Sequence, residues 1–186
     1  MTYQEKIPDL GELSLVVLHP ETHAELVHGW VTEPRAAFWG MGSHSVDDVR
    51  EIYEFVDSLD THHAYLVTLD DTPIGIFQTY QPEADPVGER YPVQDGDVGM
   101  HLLLAPGNRP PKGLTDAVGP ALARFLFSDP TRQRIVVEPD VRNHRALQRL
   151  EREGFTLDAE IDMPDKRAQL AFLSRERFEA NHPAPA

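Results

Sequence analysis

No cysteine occurs among the 186 residues. That excludes disulfides, thiolate zinc sites, iron–sulfur clusters and any cysteine nucleophile. Basic residues are scarce: 17 Lys and Arg stand against 31 Asp and Glu, a formal net charge of −14. Such a chain is a poor partner for nucleic acid or for an anionic membrane. Long apolar runs are missing as well. The longest, over residues 13–18 and 102–105, are strand-sized and far short of the roughly 20 residues a membrane span needs. Residues 1–13 have neither a cationic n-region nor an apolar h-region. A cytoplasmic protein is the expectation. No GxSxG elbow, Walker loop, GxGxxG or HExxH pattern occurs. His19 with His23 and His62 with His63 lack completing carboxylates, so no metal site is expected.

What is present is ordinary globular material. Hydrophobic residues make up 40% and charged residues 26%, which decides against disorder. The length fits a single domain over 1–186, with a core over about 11–175 and loose ends beyond it.

Periodicity orders the elements. Residues 12–18 read as a strand and 21–30 as a helix, with Thr22 as a candidate cap. Residues 32–40 break the pattern and carry Phe38 and Trp39 in a loop. Ser45 and Asp48 make a capping motif for a helix ending near Ser58. Residues 63–69 and 73–80 form a hairpin around Asp70-Asp71-Thr72. A proline-rich loop over 81–96 precedes a strand at 97–104. A helix over 114–127, a strand over 134–138 and a helix over 144–152 follow, the last stopped by Gly154. Residues 155–163 and 167–173 close the chain as an antiparallel pair. Hairpins followed by a β-α-β-α run predict an α/β protein with a mixed sheet, not a doubly wound order.

Three places can carry chemistry. A loop with Arg109, Lys112 and Gly113 opens onto the helix at Leu114 and Thr115, where free N–H groups and the helix dipole suit a phosphate. Ordinary capping of a surface loop is the other reading. Asp140, Arg142 and Asn143 cluster between a strand and a helix. Asp140 or Asn143 is either a helix cap or a base and ligand contact. His101 interrupts an apolar strand, as a half-buried core residue or as a catalyst.

Together these stretches resemble the GNAT acyl-CoA N-acyltransferase family over about Leu13 to Phe172. The strand Leu102–Ala105 runs into Asn108-Arg-Pro-Pro-Lys-Gly-Leu-Thr115, where the family holds the CoA pyrophosphate. Asn143-His-Arg-Ala146, Leu150 and Gly154-Phe155 match the family's later signature. The loop departs from the family pattern, since Pro110-Pro111 remove donor N–H groups and Thr115 replaces a small residue. The resemblance implies a GNAT fold: a mixed central sheet with a splayed strand, flanked by helices. It implies acyl-CoA as co-substrate, held by Leu103, Leu104, Arg109, Lys112, Gly113, Leu114, Thr115, Arg142 and Asn143, and no metal.

A narrower likeness rests on His28-Gly-Trp30, Pro34-Arg35, Phe38-Trp39, Gly99-Met-His101-Leu-Leu and Glu138-Pro-Asp-Val-Arg-Asn-His144. These are similar to the siderophore-biosynthesis branch, which acylates N-hydroxylated lysine, ornithine or diamines to give hydroxamates. That likeness implies His101 orienting the N-hydroxy group and Asp140 as general base, with Trp39, Gln78 and Tyr80 lining the acceptor pocket. The likeness implies transfer of an acetyl or succinyl group, from acetyl-CoA or another acyl-CoA. A less basic hydroxylamine needs little activation, so one carboxylate suffices and no enzyme nucleophile is required. A backbone N–H near His101–Leu103 would hold the thioester oxygen. Two alternatives stay open: transfer to an aminoglycoside, polyamine or other primary amine, and an inactive CoA-binding module. Monomer and homodimer are both compatible with the sequence. The acidic set Glu83, Asp85, Asp95 and Asp97 is expected to attract a cationic acceptor.

Overall fold

The computed structural model describes residues 2–106 and 111–183. Eight strands form one sheet: β1 (Tyr3–Ile7), β2 (Gly11–Val17), β3 (His62–Leu69), β4 (Thr72–Tyr80), β5 (Asp97–Leu104), β6 (Arg134–Val137), β7 (Thr156–Asp162) and β8 (Arg167–Ser174). Their order is β1-β2-β3-β4-β5-β6-β8-β7. β5 and β6 pair in parallel, whereas β1–β2, β2–β3, β6–β8 and β7–β8 are antiparallel. The sheet is therefore mixed, as expected. Among the described residues, five α-helices accompany it: α1 (Pro20–Val31), α2 (Val46–Asp57), α3 (Leu114–Phe127), α4 (His144–Arg152) and α5 (Arg175–Asn181). Among the described residues, no helix is long and apolar enough to cross a membrane.

The chain groups into two compact units: Met1–Thr79 with His101–Val118, and Tyr80–Met100 with Gly119–Ala186. The first is built around Leu18, Val27, Trp30, Val31, Val49, Tyr53, Leu66 and Ile76. α1 contributes Ala24, Val27, Trp30 and Val31 from one face, and Pro20 begins it with a pre-set φ. Thr22 does not cap this helix. The N-cap is His19, which makes no side-chain cap bond, and the Thr22 hydroxyl donates to the His19 carbonyl from inside the first turn. α2 starts as expected. The Ser45 hydroxyl accepts from the Asp48 N–H at 3.1 Å, and the Asp48 carboxylate accepts from the Ser45 N–H at 2.7 Å. Asp70 and Asp71 turn the β3–β4 hairpin with φ of 46° and 62°, the left-handed values a tight hairpin needs. β1 adds an edge strand that the sequence reading did not anticipate. Its Tyr-Gln-Glu-Lys-Ile run buries only Ile7.

The second unit packs Tyr80, Val87, Val136, Ile161, Ala168 and Leu170 together. Arg134 grips Asp97 with two hydrogen bonds of 2.7 and 2.8 Å and lies over the Phe172 ring. The Asp97 side chain is 1% exposed, so it is a structural partner and not a steering charge. Asp85 likewise accepts from the Val87 N–H and holds a short turn. α4 is capped by Asn143, and Gly154 follows it with φ of 93°. α5 was not expected. It is only seven residues long, capped by Ser174 and anchored by buried Phe178. Arg175 secures its start by donating to the carbonyls of Phe127, Asp129 and Arg132.

Candidate active site

In the first unit the site is built on the second half of β5. The parallel pairing of β5 with β6 covers Asp97–Gly99 against Arg134–Val136 and stops there, although β5 continues to Leu104. Beyond Gly99 the register with β6 ends. Val98, Gly99 and Met100 are buried, but His101 to Leu104 are all half-buried. A fully covered central strand would bury both faces. Here solvent reaches both, which leaves backbone and side chains accessible to a ligand.

His101 and the Trp39 indole make a T-shaped contact, with ring centroids 6.3 Å apart and planes at 77°. Trp39 ends a 3₁₀ turn over Pro34–Trp39, and Gly40 stops that turn with φ of 83°. Arg35 ties the turn to β5 by donating to the Leu104 carbonyl at 2.8 Å. The Leu104 oxygen thus already holds one partner. Trp39, Met41, Leu103 and Ala105 are partly buried against the core cluster that contains Tyr53. Gln78 is half-buried on β4.

Arg109 lies outside the described residues. Of the remaining loop positions, Lys112, Gly113 and Thr115 are exposed and Leu114 is buried. Gly113 has φ of 87°, with open space where a Cβ would stand. The Leu114 N–H already donates to the Pro111 carbonyl and the Asp116 N–H to Gly113. Two donors at the start of α3 are therefore spent inside the turn. Fewer remain for an anion than a bare helix start would present.

The second unit carries a saturated polar cluster. The Tyr80 hydroxyl donates to Glu138 at 2.5 Å, and Lys166 Nζ stands 3.5 Å from the other Glu138 oxygen. Tyr80 and Glu138 are each 3% exposed. Burial, then the Glu138 charge, push the Tyr80 phenol well up, so it remains a neutral donor. Gly99 makes room for this ring, because a Cβ there would overlap it. Glu138 was not singled out from the sequence. Its signal was an acid ending the apolar strand Ile135-Val-Val.

Asp140 is 5% exposed and held by Arg142. The guanidinium donates to both carboxylate oxygens, at 2.9 and 2.6 Å, and the Arg142 N–H adds a third bond of 2.8 Å. The hydrogen bonds from the guanidinium outweigh desolvation and bring the carboxyl down to about 2. The Arg142 side chain is itself 75% exposed. Asn143 is the N-cap of α4, its Oδ1 accepting from the Ala146 N–H at 3.2 Å. Among the described residues, no group of three or more His, Asp or Glu is arranged to hold a metal ion.

Residues 19–163 match the acetyltransferase (GNAT) domain family. The chain belongs to the GNAT acetyltransferase family. Over 171 residues it is 28% identical to the N(6)-hydroxylysine O-acetyltransferase of Escherichia coli, covering 89% of this chain and 53% of that protein. Over 180 residues it is 29% identical to a hydroxyornithine transacylase of Ajellomyces capsulatus, covering 95% of this chain and 41% of that one. A solved aminoglycoside acetyltransferase in complex with coenzyme A aligns with a TM-score of 0.79 and 27% identity, covering 90% of this chain and 98% of that chain. This GNAT chain thus spans about half the length, 53% and 41%, of the two hydroxyamine-named relatives.

Proposed function

We propose that this GNAT domain transfers an acetyl or succinyl group from CoA to the nitrogen of an N-hydroxylated diamine or lysine, forming a hydroxamate for siderophore assembly. The observation that carries this reading is the pair of relatives named for hydroxylated amino acids, aligned over 89% and 95% of the chain. His101 supports it from the geometry: a polar ring on the half-open stretch of β5, faced by an indole, suits a small polar head group.

The hydroxylamine nitrogen attacks the thioester carbon, the C–S bond breaks, and the N–H proton ends on the CoA sulfur. Acceptor and thioester held together supply much of the acceleration. His101 orients the N-hydroxy oxygen, with Trp39 and Gln78 beside it as acceptor contacts. Tyr80 contributes from beneath the surface, because its hydroxyl is committed to Glu138. Asp140 collects the proton from nitrogen and passes it on to the departing CoA sulfur. A carboxyl held at about 2 is a weak base, so it accepts only once the Arg142 fork lets go. Arg142 is exposed enough to exchange Asp140 for a cofactor phosphate. Lys112, Gly113, Leu114 and Thr115, with Arg109, hold the CoA pyrophosphate at the start of α3. The backbone of Leu103 and Leu104 holds its pantetheine arm, and Asn143 fixes the loop that carries Arg142.

A second reading is acetylation of an aminoglycoside amine. It is favoured by the CoA-bound aminoglycoside acetyltransferase, 98% of which this chain covers. An acceptor panel separates the two. With acetyl-CoA, the first reading expects kcat/KM for N-hydroxycadaverine at least about tenfold above that for cadaverine or kanamycin, a difference of about 1.4 kcal/mol. Equal rates on cadaverine, or faster turnover of kanamycin, overturn it.

A further inference from the structure

Tyr53 is 2% exposed, in the middle of α2, and reads at first as a core residue. Its hydroxyl is buried without a hydrogen-bond partner among the described residues. A buried phenol left so is costly to the fold, and such groups are uncommon in native proteins. Trp39 is a polar neighbour that bears on the phenol, but no hydrogen bond to the Tyr53 hydroxyl closes among the described residues. Burial pushes the phenol up, so it keeps its proton and can donate it. An indole N–H cannot accept that proton. The Tyr53 proton therefore lacks an acceptor among the described residues, and the same indole is in ring contact with His101.

We propose that the Tyr53 hydroxyl is a specificity-determining donor to the oxygen of the acceptor's N-hydroxy group. This deepens the proposed function and rests on it. The N-hydroxy oxygen has lone pairs to accept from Tyr53 and a proton to give to a ring nitrogen of His101. A plain amine lacks that oxygen and leaves the phenol unsatisfied. Sites built to bond a substrate hydroxyl discriminate strongly against analogues that lack it, because their own buried group then stays unpaired. The acceptor reaches the phenol as the Trp39 indole turns aside. Trp39 sits at the end of a six-residue 3₁₀ turn, half-buried, and the Arg35 tether holds the turn itself to β5.

The test is Tyr53→Phe, assayed with acetyl-CoA and either N-hydroxycadaverine or cadaverine beside the wild type, with thermal unfolding of both proteins. The ratio of kcat/KM for the hydroxylated over the plain amine is expected to fall about tenfold in the variant. The midpoint of unfolding is expected to hold or rise, since removing an unsatisfied hydroxyl costs the fold nothing. An unchanged ratio overturns the proposal. So does a lowered midpoint, which would mean that the hydroxyl is satisfied within the fold. Failure of the underlying reading is seen elsewhere, in the unmutated protein. A wild type without preference for the hydroxylated amine removes the acceptor class, and Tyr53's role with it.

Discussion

Tyr53 and Tyr80 make an instructive pair. Both are buried, at 2% and 3% exposure, and both keep their phenol protonated. Tyr80 donates to Glu138, which has Lys166 beside its other oxygen. Tyr53 donates to nothing among the described residues. A buried polar group that is fully bonded holds elements together, here the ends of β4 and β6. A buried polar group left open stores an unmade bond that a ligand can complete. The contrast separates a scaffold in the second unit from the recognition surface proposed in the first.

Substitutions can break this contrast, and the largest effect belongs to Glu138. Glu138→Ala leaves Lys166 and the Tyr80 phenol without their acceptor, and a loss of about 3–5 kcal/mol in urea unfolding is expected. A loss below about 1 kcal/mol would mean that the cluster is not a scaffold. Tyr80→Phe comes next. It strands the Glu138 oxygen and is expected to cost about 1–3 kcal/mol by the same measurement. Tyr53→Phe is expected to cost nothing, so equal losses in the two Phe variants would erase the distinction between them. The smallest effect concerns Asp140. Its folded carboxyl is held down to about 2, below its unfolded value, so the Arg142 clasp adds stability that is present above the ordinary carboxylate range. That contribution is lost as pH falls toward 2. Arg142→Ala lacks the clasp, and the stability gap between wild type and variant should narrow from pH 6 to about pH 3. A gap that widens with acid would contradict the assignment.

Much of the fold was legible because strong local signals agreed with it. β5, α3 and α4 span the expected residues, since apolar spacing, the Asn143 cap and Gly154 all point the same way. β1 and α5 escaped for the opposite reason. β1 alternates polar residues along an edge and buries only Ile7, and α5 is two turns long with one buried anchor. Thr22 illustrates a limit of residue type alone: a hydroxyl near a helix start serves the first turn from either side of the boundary.

The site was legible in parts. His101 stands out as a polar residue on an apolar strand, and it lies on the half-buried stretch beyond the β5–β6 register. Trp39 was visible as an aromatic in a loop, but its contact with His101 needs the turn tethered by Arg35, a residue 69 positions from Leu104 in sequence. Tyr53 was hidden among the apolar positions of an amphipathic helix, because spacing places a ring in the core without saying whether its hydroxyl finds a partner. Asp140 was visible as an acid. Arg142, two residues on, was weighed only as a ligand contact, and the turn that folds its guanidinium back onto the carboxylate depends on tertiary geometry. Arg109, legible in the sequence as a basic loop residue, lies outside the described residues.

The identity of the acylated atom tests the account most directly. Wild-type protein is incubated with acetyl-CoA and N-hydroxycadaverine, and the product is titrated with ferric iron. Transfer to nitrogen gives a hydroxamate, and the account predicts a coloured ferric complex that grows in step with the free CoA thiol. Release of CoA without a ferric complex, with the acetyl group on oxygen or on the distal amine, would contradict it.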